Sequence, residues 1–169
     1  MAAVPGSIVQ LSVSPGGLPK RAIAEARVTP LGLSGDAHRY RYHGGPERAV
    51  CLFAMEAIDG LVAEGHTVTP GALGENVTTQ GLDWAAIAPG AHLRLGAHVV
   101  VQITKYTSPC AKIAPLFRAG DFSRVSQTRH PGWSRVYARV LVEGRVRTGD
   151  EIRVVRDVEA SGIIAAAAP

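Results

Sequence analysis

Short runs in which hydrophobic and polar residues alternate recur along the chain. Side chains of a β-strand point to opposite faces in turn, so this period of two predicts strands with one buried face. The clearest runs are 8–13, 92–95, 99–103, 136–142 and 152–154, together with an apolar run at 49–54. They are short and bounded by Gly, Pro or Asp, a succession typical of a β-sandwich or β-barrel. We therefore expect a mainly β protein.

Two segments follow a helical period instead. Met55, Ile58 and Leu61 share one face of a predicted helix over 54–64, and a glycine at 65 is suited to end it. A second helix is predicted over 109–118, with a weaker helical turn near 122–126. The fold is therefore expected to carry only a few helices.

The length of the chain favours one domain. With 169 residues, 46% of them hydrophobic and 19% charged, the chain can bury a substantial core. We assign the domain to residues 1–158. Residues 159–169 follow the last predicted strand and have nothing to pair with, so we expect a loose, disordered C-terminal tail there.

Composition argues against several partners. The net charge is only +4, and the aromatic residues (5%) are not interleaved with basic ones, so nucleic acid is not expected. No apolar run approaches the roughly 20 residues that span a bilayer, and the first residues lack the pattern of a signal peptide, so no membrane association is expected. Two cysteines make no disulfide framework, which favours a cytoplasmic location.

Cys110 is the strongest candidate for chemistry. Ser108 can cap a helix and Pro109 suits its first turn, which would place the Cys110 thiol among unpaired N–H groups that favour the thiolate. A thiolate can attack, carry sulfur or bind a soft metal. The competing interpretation is a core residue, because Cys110, Ala114 and Phe117 would share one helical face. Cys51 lies in an apolar run that predicts a buried strand, so we expect it to be inert.

Two glycine-rich segments offer candidate ligand-binding groups. Glycines let backbone N–H groups approach a ligand closely. The first segment contains Asp36, His38, His43, Gly44, Gly45 and Arg48, and the second contains Gly74, Glu75 and Asn76. The Asp-x-His-x4-His spacing matches no strong zinc template, so a polar loop is an equal alternative for the first segment. Turn chemistry alone would also explain the second. A third segment, 144–150, is expected to be a hairpin connection.

In their order along the chain, these segments resemble the MOSC domain, the fold named for the C-terminal part of molybdenum cofactor sulfurases. The resemblance is to the short, stand-alone bacterial type and covers roughly residues 5 to 155. Its motifs, all present in the sequence, are Gly35-Asp36-x-His38, His43-Gly44-Gly45-Pro46-x-Arg48, Gly71-Ala72-x-Gly74-Glu75-Asn76, Pro109-Cys110, Gly132-Trp133-x-Arg135-Val136-Tyr137 and Gly144-x-Val146-x-x-Gly149-Asp150.

The resemblance implies a β-barrel with a few peripheral helices and a functional Cys110. In the family this thiol is thought to bind the molybdenum of a molybdopterin cofactor or to carry sulfur as a persulfide. Some relatives reduce N-hydroxylated bases and amidoximes. The cofactor would be held by the two glycine-rich segments, with Arg48 and Lys105 supplying charge for the pterin phosphate. Many members have an Arg shortly before Pro-Cys, where this chain has Lys105, a point charge without a guanidinium fork.

Three functional hypotheses follow. In the first, the chain binds the molybdenum cofactor and reduces a small N-oxygenated molecule, with electrons from a separate electron-transfer protein. In the second, Cys110 is a non-catalytic sulfur carrier that receives a persulfide from a cysteine desulfurase. The chain lacks the pyridoxal-phosphate domain of the full sulfurases, so no pyridoxal phosphate is expected. In the third, the chain binds an anionic metabolite and Cys110 is structural.

Overall fold

The structure of the chain is a computed structural model that describes residues 3–37 and 44–169. Within these residues, the regular elements are eleven strands, two α-helices and several short 3₁₀ helices. The strands are β1 (Gly6–Val13), β2 (Arg21–Ile23), β3 (Glu25–Thr29), β4 (Gly32–Leu33), β5 (Val50–Ala54), β6 (Val77–Gln80), β7 (His92–Leu95), β8 (Val99–Tyr106), β9 (Val136–Val142), β10 (Gly144–Arg147) and β11 (Glu151–Val155). The α-helices are α1 (Met55–Ala63) and α2 (Asp157–Ala167), and the 3₁₀ helices are Pro46–Arg48, Trp84–Ala86, Ala111–Leu116, Arg118–Gly120 and Phe122–Val125.

Seven of the described strands close into a barrel. Their order is β11-β7-β8-β9-β5-β6-β1, and β1 pairs with β11 to complete the circle, Gly6 lying opposite Ile152. The β5–β6 pair is parallel and the other pairs in the barrel are antiparallel. β2 extends the sheet beyond β1, while β10, β3 and β4 form a separate small sheet. The predicted mainly β barrel with a few helices is confirmed.

The barrel interior is filled by the side chains on the buried face of each strand. On β9, Val136 and Ala138 are fully buried whereas Tyr137 is only half-buried. On β1, a register shift between Ile8 and Gln10 interrupts the alternation. A β-bulge of this kind adds a residue on one strand, and here Ile8 and Leu11 both become buried.

The helix predicted over 54–64 is present as α1, which buries Ile58 and Leu61. The α-helix predicted over 109–118 is wrong. The chain forms two 3₁₀ helices there, because Pro115 has no N–H for an α-helical bond and Phe117 is extended (φ −107°, ψ 143°). The weaker turn near 122–126 is confirmed as a 3₁₀ helix.

Two further expectations are corrected. Segment 144–150 is not a simple hairpin connection, because Gly144–Arg147 forms β10 and pairs with β3. The C-terminal segment is not a loose tail: Asp157–Ala167 forms α2, in which Ala160 is buried and the Glu159 carboxylate accepts a hydrogen bond from Arg153 at 3.0 Å. The backbone N–H and C=O groups of a helix hydrogen-bond to one another, so a helix needs no partner strand. In neither described range is there a helix with the length and apolar character to cross a bilayer.

Candidate functional site

A cavity of about 870 Å³, including its open mouth, lies beside β5 and the start of β9. Loops that are distant in sequence contribute its walls: segment 17–20, the residues after 44, the turn before β6 and the segment after β8. Five of the candidate residues, Cys110, Arg48, Gly44, Gly74 and Asn76, therefore line one cavity.

The Cys110 side chain is exposed and lines this cavity. Its backbone is extended (φ −133°, ψ 167°), and its carbonyl accepts a hydrogen bond from Ile113 N at 3.2 Å as the 3₁₀ helix begins. Ile113 and Phe117 anchor the segment in a hydrophobic cluster shared with α1. The interpretation of Cys110 as a core residue is therefore wrong. The predicted α-helical N-terminus is also replaced by a six-residue 3₁₀ helix.

Cys51 contributes to the same cavity from β5, but it is only 5% exposed. Burial raises the pKa of the Cys51 thiol to about 12, and the nearby positive charge of Arg135 offsets this only in part. The thiol is therefore protonated at neutral pH. The structure agrees with the expected buried strand.

Asn76, directly before β6, connects strands β1 and β5 with the turn that carries Asp36. Its Oδ1 accepts a hydrogen bond from Cys51 N at 3.0 Å, and its Nδ2 donates to Ser12 O at 3.2 Å and to Asp36 Oδ2 at 2.9 Å. A side-chain amide is suited to this position because it offers both an acceptor and two donors. Asn76 lines the cavity while also holding its frame together.

Glu75 is fully buried and does not line the cavity. Its Oε1 accepts hydrogen bonds from Gly71 N and, at 3.4 Å, from Thr78 Oγ1, whereas its Oε2 has no partner. Burial raises the pKa of Glu75, outweighing the hydrogen bonds and the Arg135 charge that lower it. Glu75 therefore supports the turn before β6 and does not reach a ligand.

The Asp36 carboxylate accepts its hydrogen bonds from other residues of the protein. Its carboxylate accepts hydrogen bonds from Ser14 N at 2.9 Å, from Asn76 Nδ2 at 2.9 Å and from Lys20 Nζ at 2.7 and 2.5 Å. The two other members of the suggested Asp-His-His set, His38 and His43, lie outside the described residues. Within residues 3–37 and 44–169, no group of three or more His, Cys, Asp or Glu side chains is placed to hold a metal ion.

Of the remaining candidate residues, two line the cavity and two do not. Gly44 and Arg48 line the cavity, and the Arg48 guanidinium carbon lies 5.7 Å from the centre of the Tyr137 ring. Gly45 does not line it and instead precedes the 3₁₀ helix Pro46–Arg48. Lys105 is half-buried on β8 and does not line the cavity either, so the cation proposed to replace the usual Arg is in the wrong place.

Four charged or aromatic residues also line the cavity, although no role was predicted for them from the sequence. They are Lys20, Lys112, Arg135 and Tyr137. Burial raises the pKa of Tyr137. Positions two apart at the start of β9 share a face, so the position of Tyr137 on β9 could have suggested Arg135 as a neighbour.

Comparisons with known proteins agree with this geometry. The family model for the MOSC domain matches residues 39–153, and the chain belongs to the MOSC family. It is 31% identical over 140 residues to protein YiiM of Escherichia coli (strain K12), a match that covers 79% of this chain and 61% of that protein. It is 30% identical over 129 residues to a protein named "Reductase" from Gibberella moniliformis, covering 73% of this chain and 22% of that one. The chain thus spans less than two thirds of either relative.

A solved structure resembles the whole fold. The crystal structure of YiiM from Geobacillus stearothermophilus superimposes with a TM-score of 0.69 at 26% identity, covering 90% of this chain and 76% of that chain. The predicted resemblance to the MOSC family, made from six motifs in order, is confirmed.

Proposed function

We propose that the cavity binds the molybdenum cofactor and that Cys110 Sγ is the protein ligand of its molybdenum. The observation that carries this proposal is one accessible thiol in a cavity lined by cationic side chains. These cations are Lys20, Arg48, Lys112 and Arg135. The MOSC family is associated with this cofactor, which supports the same assignment.

The residues present fit such a group. A thiolate is a soft ligand that suits molybdenum, and guanidinium and ammonium groups suit the phosphate of a pterin cofactor. Leu73 and Ile113 are apolar, and Leu18 adds a partly exposed apolar side chain to the cavity wall. A cavity with one soft ligand, several cations and apolar walls can orient a large anionic cofactor and limit the access of water.

The reaction we propose is the reduction of a small N-hydroxylated molecule. The cofactor, when bound, supplies two-electron redox chemistry at molybdenum. Cys110 would hold the metal, while Arg48 and Lys112 would neutralise the phosphate. Electrons would come from a separate electron-transfer protein. One relative, of which the chain covers 22%, is named a reductase, and that name agrees with a reduction in general.

The second candidate function is sulfur transfer. The exposed Cys110 thiol is accessible to a partner such as a cysteine desulfurase, and this accessibility favours a persulfide carrier as the alternative. The third hypothesis, an anion-binding module with a structural cysteine, needs Cys110 in a packing role. The Cys110 side chain is exposed and therefore has no packing role.

Metal analysis of Cys110→Ser tests the proposal. We expect near-stoichiometric molybdenum in the wild type after expression in a host that makes the cofactor, and loss of molybdenum in Cys110→Ser. Because the side chain is exposed, the variant should melt close to the wild type. The matched control is Cys51→Ala, which removes the other thiol and should retain molybdenum.

The same samples discriminate the alternatives. Cyanolysable sulfur without molybdenum in the wild type, lost in Cys110→Ser, would favour the persulfide carrier. Molybdenum that stays in Cys110→Ser would contradict the assignment of Cys110 as its ligand.

A further inference from the structure

Arg135 occupies an unusual place in the cavity wall. It lies directly before β9, lines the cavity and is only 8% exposed. Its backbone carbonyl accepts hydrogen bonds from Thr107 N at 3.0 Å and from Ser134 Oγ at 2.7 Å, which fixes the position of the chain. Its Nη1 donates to the Leu73 carbonyl, whereas its Nε is buried without a hydrogen-bond partner.

No ion pair within the described residues balances the charge of Arg135. Among the described residues, no carboxylate lies within ion-pair distance of its guanidinium. The other buried cation of the cavity, Lys20, is by contrast paired with Asp36 at 2.5 Å. Glu75 is a buried carboxyl that senses the Arg135 charge, but burial raises its pKa and holds it towards the neutral form. A buried charge is costly unless it is paired, so such a cation is best explained by an anion that arrives with a ligand.

We propose that Arg135 forms an oxyanion subsite in the cavity wall, which binds a phosphate monoester or carboxylate group of the ligand. The guanidinium has a planar fork of donors that matches both groups. The hydrogen bond to Leu73 O holds one arm of this fork in place before any ligand binds, which lowers the entropic cost of binding. The inference deepens the proposed function, on which it depends only for the identity of the molecule that carries the anion.

Anion binding to the full chain, purified without cofactor, tests this subsite. Inorganic phosphate and acetate would be titrated at constant ionic strength against chloride, with calorimetry and thermal melting as readouts. We expect phosphate to bind and to raise the melting temperature of the wild type. Arg135→Gln should weaken phosphate binding roughly 10- to 100-fold, as expected for a hydrogen bond to a charged group.

A matched control separates the subsite from general charge effects. Arg145→Gln removes one positive charge from a side chain that is 64% exposed and pairs with Glu25 at 3.7 Å, so phosphate affinity should stay at the wild-type level. Arg135→Lys keeps the charge without the fork and should bind with intermediate affinity. If Arg135→Gln does not fold, the wild type and Arg135→Lys still decide the question.

Two results would overturn the proposal. One is a wild type that responds to phosphate and acetate no more than to chloride. The other is wild-type phosphate affinity in whichever Arg135 variants fold. Both are independent of molybdenum, so they can occur whether or not Cys110 holds the metal.

Titration of the molybdenum-loaded protein identifies the source of the anion. If the phosphate group of the cofactor occupies the subsite, the loaded protein no longer binds added phosphate. If the subsite serves an acidic group of the substrate, the loaded protein binds phosphate as the cofactor-free protein does. The subsite is supported in both cases. Failure of the proposed function would look different: Cys110→Ser would retain molybdenum while phosphate binding still depended on Arg135.

Discussion

The two cysteines differ in accessibility although both line the same cavity. Cys110 is exposed at the start of a 3₁₀ helix, whereas Cys51 is 5% exposed within β5. A cavity can therefore contain two thiols of which only one meets a reagent of ordinary size. This difference distinguishes a reactive thiol from a structural one without reference to any cofactor.

Alkylation of the native protein should label Cys110 and spare Cys51. The thiolate is the nucleophile, and burial raises the pKa of Cys51 to about 12, so this thiol is protonated at neutral pH as well as inaccessible. Iodoacetamide at neutral pH followed by peptide mapping measures the two rates. Labelling after unfolding in urea is the control, since both cysteines should then react. Faster modification of Cys51 in the native state would contradict the description of the cavity.

At the residue level, sequence reasoning found some site residues and missed others for physical reasons. Cys110, Arg48 and Asn76 were candidate site residues and line the cavity, whereas Glu75 was also a candidate and does not line it. Arg135 was missed as a functional residue because Arg is usually exposed, and its burial arises from contacts with distant segments. Lys105 was proposed as a cation of the site because it precedes Pro109-Cys110 in sequence, but proximity in sequence does not decide which side of a strand a side chain occupies.

At the level of elements, the turn before β6 is built around a glycine that no other residue can replace easily. Gly71 has φ +84°, and a Cβ there would lie 2.5 Å from Lys20 O and 3.0 Å from Ser12 Oγ. Its own carbonyl accepts a hydrogen bond from Lys20 N at 3.0 Å. This close approach holds segment 17–20 against the turn that carries Asn76, and so shapes one wall of the cavity.

Gly71→Ala should destabilise the protein more than Gly90→Ala. Both glycines have positive φ, which costs an alanine roughly 1–2 kcal/mol, but a Cβ at Gly90 would meet nothing within 4 Å. The clash at Gly71 should add roughly 1–3 kcal/mol. Urea denaturation of the two variants gives the difference in the free energy of unfolding. Equal losses of unfolding free energy in the two variants would mean that the residues around Gly71 move aside easily.

Element type was predictable where the period was clear and one face was buried. β5, β7, β9 and α1 follow the expected patterns closely. β3 and β10 were missed because they carry charged residues such as Glu25 and Arg145, whose ion pair forms only when the two strands meet. The segment after Cys110 was misassigned because its apolar spacing is helical, while Pro115 prevents an α-helix from forming.

At the level of the whole molecule, the barrel depends on pairing between the ends of its sequence. β1 and β11 are about 145 residues apart, and they close the circle through Gly6–Ile152 and Ser7–Glu151. Ile8 adds hydrogen bonds to Asp150 O at 2.9 Å and from Gly149 N at 2.8 Å. Local patterns predict that strands exist but not which strands meet. The periodicity did not distinguish a barrel from a sandwich, and the prediction of a barrel came from the family resemblance.

Glu75 makes the stability of the whole molecule depend on pH. Its pKa in the folded state is raised above the ordinary 4.5 by burial, so the folded protein binds a proton that the unfolded chain releases. The contribution of Glu75 to stability is therefore fully present below pH 4.5. It is lost as pH rises from there through the folded-state pKa, by at most about 1.4 kcal/mol per pH unit.

Glu75→Gln should remove this dependence, because the amide keeps the shape of the carboxyl and an acceptor for Gly71 N but does not ionise. We expect the free energy of unfolding of the wild type, measured in urea at pH values from 5 to 8, to fall relative to that of Glu75→Gln as pH rises. Glu143→Gln, at a side chain that is 47% exposed, is the control and should follow the wild type. Parallel curves for the wild type and Glu75→Gln would mean that Glu75 is ionised in the fold. Arg135 would then have a negative partner within the protein, and the argument for an external anion would lose its electrostatic basis.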